Sequence, residues 1–376
     1  MDKGSLLSKK DHSMSVDSIK SNRNFGIDIL RMVSMYLVVV GHVLAKGNIL
    51  NSTLPFSLSY EILWLMKVIS VCAVNTFGII SGYVGYKHSH RQLGGCLYLW
   101  FKVIAYSFGI TAIFYAIGSG ATPITLVKSL FPVLGGEYWY FNAYLGCCVL
   151  SPLINIAVEN ASSKQLKITA IIGFVLFSVI GTASIHDVFT VEYGYSVLWL
   201  SVLWFIGAFI KKYDEDVKIK SRYLLWGFFG CVGLQWGMKL AIEFLAFKVF
   251  GEASYGNLFL EYTSPFVIGM AVMLVLLFRK INIGERIGKT ITNVSGNVFF
   301  VYIIHMHPMI INAYIQKKYE WVAEKNIIVA VLLVIMISFV IFISALLIDC
   351  IFSLGLNQTG IKERLKKADG VFYERG

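Results

Sequence analysis

The stretch FGIDILRMVSMYLVVVGHVL, residues 25–44, decides the fold. A helix needs roughly 20 apolar residues to cross a bilayer, and this run has that length while carrying Asp28, Arg31 and His42 inside it. Working outward, nine further apolar runs bounded by charge follow at 62–86, 96–118, 138–157, 167–183, 195–210, 222–246, 258–279, 295–315 and 326–355. No run alternates with period two, which excludes a transmembrane β-barrel as the reading. The expected fold is therefore all-α, a polytopic bundle of about ten transmembrane helices.

Composition agrees. The chain has 376 residues, 57% of them hydrophobic and only 15% charged, with a mean hydropathy of +0.69. Soluble chains carry roughly 25% charged residues. Disorder, collagen, coiled coil and a secreted disulfide scaffold are all excluded. The six cysteines fall in or beside apolar runs without metal-ligand spacing, so they read as small buried hydrophobes.

The basic residues set the orientation. Segments preceding the first run and alternating thereafter hold 23 Lys and Arg, including Lys87, Arg91 and the cluster 211–222, whereas the opposite connections hold six: Lys46, Lys128, Lys248, Lys317, Lys318 and Lys325. Both termini are expected in the cytoplasm, with 1–24 a polar N-terminal segment, 25–355 the membrane domain and 356–376 a basic tail. Residues 1–24 lack an apolar core of the signal-peptide kind, so the first run is expected to be its own anchor. The net charge of +11 is accounted for by this segregation, which argues against nucleic acid and for contact with membrane lipids.

Ionisable groups inside a membrane are costly and mark function by default. Arg31 and His42 are eleven residues apart, which at about 100° per residue returns them to within roughly 20° of one helix face, about 16 Å apart along the axis. Asp28 stands one turn before Arg31, at ion-pair spacing; capping by Asp28 and snorkelling by Arg31 are the structural alternative. An imidazole is suited to take a proton from a hydroxyl and return it to a leaving group. No GxSxG elbow, HExxH helix or P-loop competes with it. Lys239 and Glu243, one turn apart, are expected to pair.

Five segments in order resemble the acyltransferase-3 family of integral membrane acyltransferases: IDILRMVSMYLVVVGHVL (27–44), FGIISGYVGY (77–86), EYWYFNAYLGCCVLSPLIN (137–155), WFIGAFIKKY (204–213) and SGNVFFVYIIHMHPMI (295–310). The resemblance implies transfer of an acyl group, commonly acetyl from acetyl-CoA, onto a hydroxyl of a cell-surface or lipid-linked glycan, by a multi-pass protein of the cell membrane. It implies His42 as general base and Arg31 as its partner in donor handling, with no permanently bound cofactor and no metal. His305 matches a family stretch and is expected to hydrogen bond structurally, as is His307. The chain departs from its relatives after the second run, where KHSHRQLGG (87–95) replaces an Arg-rich stretch; Lys87, Arg91 and Lys102 are the expected CoA-phosphate contacts. Glu137, Trp139 and Asn142 are expected at the acceptor side. The rival class is a transporter or flippase of polysaccharide or lipid-linked sugar, for which paired broken helices and an inverted repeat would be expected.

Overall fold

A computed structural model describes residues 23–86, 92–184, 186–214, 216, 218–358, 360, 361 and 364. Most of the polar N-terminal segment and of the basic tail, together with Lys87 and Arg91, lies outside the described residues. The described chain is helical, with no β-strand among the described residues. In order the main helices are α1 (Phe25–Lys46), α2 (Leu58–Gly85), α3 (Gln92–Ala116), α4 (Trp139–Asn160), α5 (Ser163–Ala183, with a wider π-helical turn at Phe174–Ile180), α6 (Val197–Lys212), α7 (Ser221–Phe250), α8 (Pro265–Phe278), α9 (Glu285–Ser295), α10 (Val298–His305) and α11 (Ile327–Gln358).

Each expected apolar run holds a helix, but the count of ten spans is not reached by helices of spanning length. Among the described residues seven helices are long and apolar enough to cross a membrane, and eight if the bent pair Glu285–His305 and Pro308–Glu324 is one span. The run 195–210 holds α6, which at 16 residues is also short of the seven; the other two gaps have local causes. The run 258–279 begins with a loop, because Asn75 Nδ2 donates to Tyr262 O at 2.7 Å, Ser178 Oγ donates to Thr263 O at 2.6 Å, and Gln235 Nε2 donates to Phe259 O. Only the 14 residues of α8 remain helical, about 21 Å of rise. In the ninth run Pro308 lacks an amide hydrogen and disfavours helix at the residue before it, and the chain bends by 61° there.

α2 is the axis of the bundle. It packs on α1, α6 and α8, and 72% of its apolar stretch is buried. Small residues permit the closest of these crossings: a Cβ on Gly82 would collide with the Trp204 carbonyl of α6, and one on Gly207 with the Ile79 carbonyl of α2. The buried amides of this core are satisfied across helices. Asn75 Oδ1 accepts from Trp199 Nε1 at 3.1 Å, and Asn155 Oδ1 accepts from Trp204 Nε1 at 3.0 Å. Helices α5, α7 and α11 lie at the periphery, where Leu332, Met336, Phe339 and Ile351 of α11 are exposed as a lipid-facing surface requires.

Four of the six cysteines are buried and none forms a disulfide. At the end of the bundle where α1 begins, Tyr83 donates to Asp214 at 2.5 Å and Asp214 pairs with Arg279, whose carbonyl accepts from Asn24 Nδ2 at 2.6 Å. This clamp fixes where α1 enters the bundle.

Candidate functional site

Helix α1 carries the site along one seam. Near its start Asp28, almost fully buried, accepts from Arg23 Nε at 2.7 Å, from Arg31 at 3.1 Å and from Thr292 Oγ1 at 3.1 Å. The expected Asp28–Arg31 pair is present, and Asp28 also ties α1 to α9. Because one carboxylate serves two guanidinium groups, Arg31 keeps donors unused by Asp28. These belong to a side chain that lines a cleft of about 1050 Å³ between α1, α2, α3, α4 and α10.

Three turns further along α1, His42 meets a second histidine. His42 Nδ1 lies 2.9 Å from His305 Nε2, and His305 Nδ1 lies 2.5 Å from the Val301 carbonyl one turn earlier on α10. The carbonyl can only accept, so His305 Nδ1 carries hydrogen; the neutral ring then accepts at Nε2. His42 Nδ1 must therefore donate, and His42 Nε2 is left with a lone pair. A base whose far nitrogen is pinned by an acceptor is oriented and held in one tautomer. His42 lines a small cavity of about 30 Å³ whose other walls include Val74, Phe77, Trp139, Tyr140 and Tyr302, room for about one water.

The two spaces share three walls, Phe77, Tyr140 and Phe299. These three aromatic side chains stand between the wide cleft at Arg31 and the narrow cavity at His42. The Tyr140 hydroxyl is buried and has no hydrogen-bond partner among the described residues. An orphaned buried hydroxyl costs about 1–3 kcal/mol, and Tyr140 lines both spaces.

The remaining expected residues fall in different places. Trp139 lines the His42 cavity, stacked on Tyr262 with ring centroids 5.6 Å apart. Glu137 and Asn142 line neither cavity. Glu137 accepts from Ser107 Oγ at 3.1 Å, and burial raises its carboxyl above the ordinary value against the lowering effect of that hydrogen bond. Asn142 Nδ2 makes one long bond, 3.4 Å, to Val133 O. Lys102 lines the large cleft, but its ammonium is bound to Asp349 at 2.7 Å and Ser353 at 3.0 Å and sits 3.5 Å from the Phe300 ring centroid. Lys87 and Arg91 lie outside the described residues.

His307 is structural. Its Nε2–H donates to Ser107 O at 3.1 Å and its Nδ1 accepts from Met309 N at 3.2 Å, capping the turn after the bend. Lys239 pairs with Glu243 at 2.8 Å and also with Glu61 at 3.2 Å. Sequence reasoning passes over Lys67, although an ammonium within the run 62–86 satisfies the same rule that selects Arg31. It weighs Tyr140 together with Tyr138 and Trp139 as site residues or an interfacial aromatic belt and does not single it out.

Residues 24–349 match the family model described as an acyltransferase domain, the acyltransferase-3 family, and the chain belongs to that family. It is a multi-pass membrane protein with the acyltransferase domain of that family. Partial similarity also extends to solute carrier family 12 member 9, at 28% identity over 37% of the chain for the Xenopus laevis protein and 26% over 46% for the Danio rerio protein. The matched regions span about a fifth of those relatives, 17% and 21% of their lengths. No solved structure matches.

Proposed function

We propose that the protein transfers an acyl group, most simply acetyl, from acyl-CoA to a hydroxyl of a cell-surface or lipid-linked glycan, with His42 as general base. The observation that carries this reading is the His42–His305 bond, which leaves a lone pair on Nε2 of a histidine lining a cavity that shares three aromatic walls with the cleft at Arg31. With α1 entering from the cytoplasm, the wide cleft faces the donor side. The anionic phosphates of CoA stay near Arg31, which can grip phosphate with paired donors, and the pantetheine arm reaches past the shared aromatic walls.

The acceptor hydroxyl approaches His42 from the opposite end. Its proton passes to Nε2 as its oxygen bonds to the thioester carbonyl carbon, and the carbonyl oxygen becomes an oxyanion. Tyr140, whose buried hydroxyl is unpartnered among the described residues, donates to that oxyanion. The carbon–sulfur bond then breaks, the imidazolium returns its proton to the thiolate, and CoA leaves as the free thiol. His305 stays a hydrogen-bond acceptor throughout and stabilises the imidazolium.

Glycan from cells lacking the chain, compared by mass spectrometry with glycan from complemented cells, tests the reading. Loss of one acyl mass per repeat supports it. Unchanged acylation with altered export contradicts it and favours transport.

A further inference from the structure

Four basic residues stand inside the apolar spans: Arg31, Lys67, Lys102 and Lys239. Three have a carboxylate, Arg31 with Asp28, Lys102 with Asp349, and Lys239 with Glu61 and Glu243. Lys67 has no carboxylate within 4.0 Å among the described residues, and its only polar contact there is a 3.5 Å approach to the Gly41 carbonyl. A half-buried ammonium in a membrane helix is expensive without a counter-charge. Lys67 is the exception that asks for one.

Its position says what kind. On α1, Met35, Val38 and His42 line the catalytic cavity, and on α2, Phe77 and Val74 line it from across. Continued toward the far end by steps of three and four, the α1 seam reaches Lys46 and the α2 seam reaches Lys67. Both charges lie close enough to act on His42 and on each other. A third lysine is brought in by the last outer connection: Lys317 N–H donates to Lys46 O at 2.9 Å and Tyr319 N–H to Gly47 O at 3.1 Å. Lys317 holds a left-handed backbone, φ 55°, to do so, a conformation that costs energy in a non-glycine residue. Nearby Glu320 accepts from Asn48 at 2.6 Å. The connection that departs from the positive-inside pattern is the one folded against the His42 end of α1.

We infer that the acceptor half of the site takes an anionic sugar, one bearing a carboxylate or a phosphate near the hydroxyl that is acylated. This deepens the acyl-transfer reading and rests on it for the word acceptor. Lys67 supplies the counter-charge at depth, and Lys46 and Lys317 draw the anion toward it from the surface. The donor's phosphates occupy the Arg31 end instead, so the two anionic substrates enter from opposite ends of one seam.

The test uses the purified full chain in phosphatidylcholine nanodiscs, without acyl-CoA, and measures equilibrium binding of digalacturonate, glucose 1-phosphate and maltose. At least one anionic probe is expected to bind about tenfold or more tighter than maltose, a difference of about 1.4 kcal/mol. Which probe does so distinguishes a uronate acceptor from a sugar phosphate. Lys67→Gln is expected to bring that affinity down to the level of maltose, and Lys67→Arg to retain the preference, which separates lost charge from lost fold. Equal binding of charged and neutral probes, or a preference that survives Lys67→Gln, would overturn the inference. Binding needs no acyl transfer, so a chain that selects the anion yet transfers nothing contradicts the reaction and leaves the anion site standing.

Discussion

His42 on α1 and His305 on α10, 263 positions apart, face each other at 2.9 Å, and the Val301 carbonyl fixes which of them donates. The pair joins two of the five segments that carry the family resemblance, 27–44 and 295–310. It resembles in logic, with an imidazole in place of a carboxylate, the orientation of a catalytic histidine by a third group. A neutral orienting partner stabilises an imidazolium less than a carboxylate does, and it leaves no fixed negative charge beside a thioester under attack.

His305→Ala removes the acceptor and frees His42 to rotate and to take the other tautomer. The turnover number for acetyl transfer is expected to fall about 10- to 100-fold, on the scale of lost general-base orientation, with the acetyl-CoA KM little changed. His305→Gln, which restores an accepting oxygen, should recover part of the loss. Steady-state kinetics in nanodiscs check both, and an unimpaired alanine variant would show that the pair is only structural.

Tyr140→Phe separates catalysis from stability. The hydroxyl has no partner among the described residues, so deleting it should leave the thermal midpoint unchanged or raised. Loss of an oxyanion donor should cost turnover about 10²-fold. A variant that unfolds early, or one that works normally, would show the hydroxyl to be used elsewhere.

Much of this was open to sequence reasoning, for identifiable reasons. Asp28, Arg31 and His42 stand out because charge inside an apolar run is rare, and the helical period puts Arg31 and His42 on one face. The partner of His42 is not legible, because the contact depends on where α10 ends and on the bend at Pro308, neither of which the apolar pattern encodes. The run 258–279 reads as a span because Leu258, Phe259 and Leu260 are as apolar in a pinned loop as in a helix. Glu137 and Asn142 share a motif with Trp139, but α4 begins at Trp139, and only Trp139 among the three turns to the cavity.

Lys102 is expected to act through the fold. Its ammonium and the Asp349 carboxylate are 1% and 0% exposed, so Asp349→Ala leaves a buried cation without a counter-charge and should destabilise by about 3–5 kcal/mol. The double variant Lys102→Met, Asp349→Leu should recover most of that. Thermal unfolding of the three proteins checks it. A rise in acetyl-CoA KM for Lys102→Met with stability intact would restore Lys102 to donor binding.

Glu261, in the connection between α7 and α8, offers a pH readout. Burial, with Asp187 adding repulsion, pushes its carboxyl up to about 7 from an ordinary value of 4.5. The folded state therefore holds this proton more tightly than the unfolded state, and stability is lost as pH rises from about 4.5 through 7. Glu261→Gln should match wild type at pH 4 and exceed it at pH 8 in thermal midpoint. Parallel curves across that range would contradict the assignment. Its neighbour Tyr262 lines the His42 cavity, so the same titration should appear in the turnover profile.

The most direct measurement is acetyl transfer by His42→Ala in membranes supplied with radiolabelled acetyl-CoA and acceptor glycan, with insertion checked by thermal unfolding in nanodiscs. Label in glycan is expected to fall at least about 100-fold while the protein inserts and melts like wild type. Transfer within a few-fold of wild type would contradict His42 as the base.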